Sequence, residues 1–255
     1  MGRTARARNR AISGGAAGRK SALFRKRVMG WASSRQRSVP WREPPEPYRV
    51  LVAELMLRRT RASQVVPIFV RFMKRFRTVR SLAASSEREV STLLKPLGLR
   101  WRSPAFRRLA TEVVDKHDGR VPEIESALRA LPGVGDYVAN AVLAFAFDSP
   151  AVLVDTNTVR LAARFFGFSY GPESRRNPAV RAAVAEFFEP DRPRASAVAV
   201  LDFASLVCRA RLPLCSQCPV VDLCVYGRAE RGHRFPKGPL LAGGRPGEES
   251  ARSAH

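Results

Sequence analysis

Between residues 48 and 207, apolar side chains recur at helical spacing in one segment after another. No stretch sustains the period-two alternation of a half-buried strand. Residues 48–57 are apolar on every side except at Glu54, the mark of a helix buried all round. Residues 65–76, 106–114, 139–147, 158–166, 179–188 and 197–207 repeat apolar positions at three- and four-residue intervals. Ile124, Ala127, Leu128 and Leu131 fall at i, i+3, i+4 and i+7. Ser86 and Glu89 have the spacing of a capping box, opening a helix that runs through Leu94. Only residues 151–154 read as a short extended piece. The fold class is all-α, without internal repeats. Hydrophobic residues make up 45% of the 255-residue chain, enough for a sizeable core, so a wholly disordered chain is excluded.

Charge narrows the function. Forty-five Lys and Arg against 22 Asp and Glu give a net +23 and a pI near 11.4. Residues 1–41 carry 11 of the bases and no acid, and residues 227–255 carry 6 bases and 3 acids, which leaves +9 on residues 42–226. A folded part that is basic in its own right points to a polyanion as partner. No apolar run approaches the roughly 18 residues that span a bilayer, so membrane insertion is excluded. Residues 1–23 read as a disordered basic arm and residues 227–255 as a disordered tail. An Arg-rich, acid-free start also describes an organellar transit peptide, kept as the minor alternative. No secretory signal is present, so a cytoplasmic, reducing compartment is expected, where cysteines serve more often as ligands than as disulfides.

Four groups of residues carry chemistry. Every cysteine lies in Cys208-x6-Cys215-x2-Cys218-x5-Cys224. Four thiolates in one short loop suit a four-iron, four-sulfur (4Fe-4S) cluster, each iron taking one Cys. A zinc site is the alternative, but such sites usually pair two short knuckles and only Cys215/Cys218 is one. The second group is Leu131-Pro132-Gly133-Val134-Gly135 between two helical segments. It reads either as an ordinary turn or as a hairpin whose amides, with the next helix N-terminus, bind a phosphate. The third is Asp155, with Asn157 beside it, at the start of the helix from Thr158. Asp there is commonly a plain N-cap, yet a carboxylate held ionised by the helix dipole also suits a developing cation. Glu54 is the fourth. Among Leu51, Leu55 and Leu57 it must be paired, for instance with Arg58 one turn on, or partly exposed, or held partly protonated.

Together these elements resemble the helix-hairpin-helix base-excision DNA glycosylases, the superfamily of endonuclease III and the A/G-mismatch adenine glycosylase. Pro40-Trp41-Arg42, Pro47-Tyr48, Ala53-Glu54-Leu55-Met56-Leu57-Arg58-Arg59-Thr60 and Leu131-Pro132-Gly133-Val134-Gly135-Asp136-Tyr137 stand in family register, and the likeness spans about residues 24–226. It implies a six-helix barrel over 46–150, packed on a cluster domain made of 24–45 and 151–226, with the active site between them. Asp155 would then stabilise or trap the sugar cation, Asn157 would orient that carboxylate or a water, and Glu54 would act as general acid or base. Leu131, Gly133, Val134 and Gly135 would grip phosphate, with Arg58, Arg59, Arg209 and Arg211 as further DNA contacts. Cys208, Cys215, Cys218 and Cys224 would hold the cluster.

Departures from the family pattern set the expected subtype. Members that also cut the backbone carry Lys where this chain has Tyr137, and a phenol cannot form the Schiff base that strand cleavage needs. A monofunctional enzyme is implied. Arg58-Arg59 is similar to the T·G-mismatch enzymes, whereas adenine glycosylases usually carry Gln-Gln there. Gly98-Leu99-Arg100-Trp101 stands where those enzymes have Gly-Tyr-Tyr, and residues 227–255 are too few for their second domain. The expected substrate is double-stranded DNA with thymine or uracil opposite guanine, acted on by a monomer. Adenine removal from A·G or A·8-oxoguanine is the alternative, and a non-catalytic DNA-binding module the lesser one.

Overall fold

The computed structural model describes residues 16–58, 60–98 and 103–231. Among them every regular element is helical: α1 (Ala16–Ala32), α2 (Pro47–Leu57), α3 (Ala62–Arg75), α4 (Val79–Ala83), α5 (Glu87–Leu94), α6 (Ser103–His117), α7 (Glu125–Ala130), α8 (Asp136–Ala146), α9 (Thr156–Phe166), α10 (Pro178–Ala185), α11 (Pro193–Leu206) and α12 (Val225–Arg231). Residues 151–154 belong to no regular element. No helix among the described residues is long and apolar enough to cross a membrane.

Local sequence explains most of these boundaries. Glu46 precedes Pro47, whose fixed φ suits the first helical turn of α2. The capping box at α5 forms as its spacing predicts: Ser86 Oγ accepts from Glu89 N–H, and Glu89 Oε2 accepts from Ser86 N–H at 2.9 Å. Helix α9 ends on Gly167 at φ +86, the left-handed conformation that glycine adopts without steric cost. Helix α1 starts at Ala16, inside the stretch that composition reads as a disordered arm. It orders because Phe24 and Val28 lie one turn apart and are fully buried. Likewise α12 carries regular structure to Arg231, through the first five residues of the expected tail.

Two sets of contacts place the candidate site. Helix α2 packs along α8, so the chain after α2 meets the turn between α7 and α8. On the other side α1 packs on α11, and α9 packs on α10, α11 and α12. Phe24 of α1 meets Phe187 at 4.2 Å and Phe165 at 5.0 Å between ring centroids, tying the segment before α2 to the helices after α8. Helix α11 also packs on α8, where Arg194 donates to the carbonyls of Phe145 and Ala146 and so caps the end of α8. The segments 33–46 and 151–155 are thereby brought against the α2–α8 pair.

Candidate active site

A cleft of about 950 Å³ opens at this junction, lined among others by Glu54 and Arg58, Tyr137 of α8, and Asp155 and Asn157 at the start of α9. Four residues expected to carry catalysis, drawn from three helices, therefore share one cavity.

Asp155 is the N-cap of α9. Its Oδ1 accepts from the N–H groups of Asn157 (2.9 Å) and Thr158 (2.8 Å), and its Oδ2 accepts from Asn157 Nδ2 (2.7 Å). Thr158 Oγ1 accepts from Asp155 N–H at 2.9 Å and donates to Leu153 O at 2.8 Å, which fixes the entry to the helix. Asn157 Oδ1 in turn accepts from Arg160 at 3.0 Å. Arg160 is buried and also donates to Cys208 O (3.0 Å) and Ala204 O (2.7 Å), so a continuous chain of hydrogen bonds joins the first cysteine to Asp155.

Glu54 is 4% exposed. Burial pushes its carboxyl up to about 7; the charges of Arg42 and Arg37 oppose that rise and Asp155 adds to it. The cations that act on it thus come from the segment before α2. Arg58, the partner one turn away in sequence, donates instead to Gly133 O at 3.0 Å and braces the hairpin. Tyr137 is half-buried, and desolvation, then Glu54 and Asp155, hold its phenol well above its ordinary range, so it is neutral at physiological pH.

Leu131 and Val134 are buried, and their N–H groups are taken up by Leu128 O and Leu131 O at 3.1 Å each. These two amides are thus engaged within the turn itself. Gly133 is at φ +80, a conformation that favours glycine, whereas Gly135 is extended and a Cβ there meets nothing within 4 Å. Arg209 and Arg211 are exposed on the loop between Cys208 and Cys215, apart from the cleft lining. Arg59 and the segment 99–102 lie outside the described residues.

No disulfide joins the four cysteines, which are half-buried and all line one small apolar cavity. Arg164 Nη1 approaches Cys208 Sγ at 3.5 Å, and Gly227 N–H donates to Cys224 Sγ at 3.4 Å. Among the described residues no three His, Cys, Asp or Glu side chains converge on a position for a single metal ion.

Sequence reasoning missed Asp202, Arg37 and Arg160. Asp202 stands in an apolar helical run as Glu54 does, and that shared pattern was the available signal.

Residues 52–190 match the model of the HhH-GPD superfamily base excision DNA repair proteins. A thymine-DNA glycosylase of Aeropyrum pernix is 35% identical, over 82% of this chain and 96% of that protein. The adenine DNA glycosylase of Mus musculus is 31% identical over 82% of this chain, but over only 43% of its own length. The solved structure of a thermostable thymine-DNA glycosylase superposes with a TM-score of 0.79 at 30% identity, covering 84% of this chain and 99% of that one.

Proposed function

Because the chain belongs to the HhH-GPD superfamily of base excision DNA repair proteins, we propose that it is a monofunctional DNA glycosylase. It hydrolyses the N-glycosidic bond of a flipped-out thymine or uracil opposite guanine. The observation that carries this reading is the convergence, in one cleft, of a carboxyl that holds its proton near neutrality and a carboxylate fixed by three hydrogen bonds.

Enzymes that act on a base in duplex DNA first take it out of the stack. As the C1′–N bond breaks, its electron pair leaves with the base and positive charge develops on the sugar. Glu54 donates its proton to the departing base, and ionised Asp155 faces the sugar cation, with the dipole of α9 and the Asn157 and Thr158 amides holding it in place. Water then adds at C1′, keeps one proton as the new hydroxyl and gives the other to the ionised Glu54, which restores the acid. Tyr137 offers no amine, so the reaction stops at an intact abasic strand. The first-turn amides of α8 and the tight turn at Gly133 suit a phosphate beside the lesion.

The four cysteines are assigned a 4Fe-4S cluster. Its support is the donor set: four thiols around one apolar cavity, with N–H groups of Arg164 and Gly227 directed at sulfur. Structural zinc sites usually pair two short Cys knuckles, and here only Cys215 and Cys218 have that spacing. When bound, the cluster would be held by Cys208, Cys215, Cys218 and Cys224 and would tie their loop together, and no proton transfer in base release is assigned to it.

End-labelled duplexes carrying T·G, U·G, A·G and A·8-oxoguanine, treated with alkali after incubation, test the substrate. Single-turnover release from T·G and U·G is expected to be faster than from either adenine duplex. The opposite ranking establishes the adenine reading, and no release from any duplex establishes a binding module.

A further inference from the structure

Asp202 is the only wholly buried acid among the described residues, at 0% exposure in the middle of α11. Both of its oxygens are occupied by arginines of the segment before α2. Arg37 reaches Oδ1 through Nη2 (2.6 Å) and Nε (2.7 Å), and its backbone N–H donates to Oδ2 at 2.9 Å. Arg42 donates to Oδ2 at 2.8 Å, to Oδ1 at 3.0 Å, and to Arg37 O at 3.1 Å. Burial pushes the Asp202 carboxyl up, but the hydrogen bonds and charge of Arg42, then of Arg37, outweigh it, so Asp202 is ionised.

Arg37 and Arg42 are also the two cations that act on both Glu54 and Tyr137. Arg37 lines the catalytic cleft with them, and Leu201, the neighbour of Asp202 in α11, lines its wall. One carboxylate thus engages both guanidiniums whose charges act on the candidate general acid. A buried carboxyl beside a free guanidinium gives up its proton, and a direct Arg–Glu54 pair would leave nothing to donate.

We propose that Asp202 is a positioning residue of the reaction: by engaging Arg37 and Arg42 with both oxygens it holds their guanidiniums off Glu54, so that Glu54 keeps a proton for the leaving base. The inference rests on the role given to Glu54 above. The charged and titratable groups facing Glu54 are Arg37 and Arg42 from the segment before α2, Tyr137 from α8 and Asp155 from α9, with Arg58 on its own helix. Among these, Asp202 contacts the first two alone. Removing its charge leaves two uncompensated cations beside Glu54, which then ionises at lower pH. Removing one of the cations acts in the opposite direction.

The test is the pH profile of single-turnover base release under saturating enzyme, for the full chain and for Asp202→Asn, Asp202→Glu and Arg37→Gln. Asp202→Asn is expected to move the alkaline limb down by at least one pH unit and to lower the rate about tenfold at pH 7.5. Asp202→Glu is expected to restore the limb, and Arg37→Gln to move it up. A purely structural role predicts lower stability with the limb unmoved, and that result in the folded variants overturns the inference. If Asp202→Asn does not fold, the sign of the Arg37→Gln shift decides: an unmoved or lowered limb overturns it. Glu54→Gln, run in parallel, separates the two readings. Wild-type release by Glu54→Gln removes the general acid and the inference with it, whereas an inactive Glu54→Gln with an unmoved Asp202→Asn limb removes the inference alone.

Discussion

Replacing Glu54 by Gln should stabilise the protein while silencing it, and the stabilisation should depend on pH in a way set by this one side chain. In the unfolded chain the carboxyl titrates near its ordinary 4.5, and in the fold burial raises it to about 7. With the folded value above the unfolded one, the contribution of Glu54 to stability is fully present below pH 4.5 and is lost as pH rises through 7. At about 1.4 kcal/mol per unit, the native state of the wild type forfeits about 1 kcal/mol at pH 5, about 2 at pH 6 and about 3 above pH 7. A glutamine does not titrate, so the difference between variant and wild type traces that curve. The residue is 4% exposed, and solvent screening removes little of it. Urea unfolding of both proteins at pH 4.5, 6 and 7.5 measures it, because charges common to both cancel. A difference that stays flat across these three pH values, of either sign, refutes the claim that Glu54 is buried with its proton shared near neutrality. The same substitution should lower base release by at least 100-fold at pH 7.

Asp155→Asn should abolish base release with duplex affinity nearly unchanged, measured by single-turnover kinetics and titration of an abasic-analogue duplex. Asn caps a helix as well as Asp, so stability should change by less than about 0.5 kcal/mol and misfolding cannot account for the loss. Gly133→Ala forces a β-carbon into φ +80, costs about 1–2 kcal/mol, and should weaken binding to all duplexes alike, while Gly135→Ala should fold unhindered. Borohydride should trap no adduct with the unmodified protein, and Tyr137→Lys should create weak strand cleavage by supplying the missing amine. Protein prepared anaerobically should be brown and hold about four irons per chain; stoichiometric zinc without iron would overturn the cluster.

The all-α class and most helix positions were legible because apolar spacing at 3.6 residues is a property of each segment alone. Boundaries were legible where a cap fixes them, as at Ser86, and slid by up to four residues where packing does, as at α8 and α11. The first turns of helix α1, residues 16–23, were not legible. Its basic, apolar-poor start reads as an arm, and it orders only because Phe24 finds Phe165 and Phe187, residues more than 140 positions away. The same distinction governs the candidate site. Asp155 and Asn157 act through neighbours two and three residues off, so their arrangement could be read from local sequence. The environment of Glu54 could not. Its nearest cation in sequence, Arg58, turns to the hairpin, and the cations that act on it are Arg37 and Arg42, held by an aspartate 148 positions downstream.

Asp155 shows why the structural and the chemical reading of one residue need not compete. In sequence an N-cap and a catalytic carboxylate stand as alternatives, and the N-cap is the commoner of the two. In the structure the capping bonds are themselves what the chemistry asks for. The amides of Asn157 and Thr158 occupy Oδ1 and fix the group against rotation, at the helix end where the dipole favours the anion. Asn157 binds the second oxygen from the side, and Arg160 behind it anchors Asn157 to the carbonyl of Cys208. Preorganisation of this kind lets a carboxylate meet a developing cation without reorienting during the reaction. The same bonds join the start of the cysteine loop to the active site through two side chains, Arg160 and Asn157.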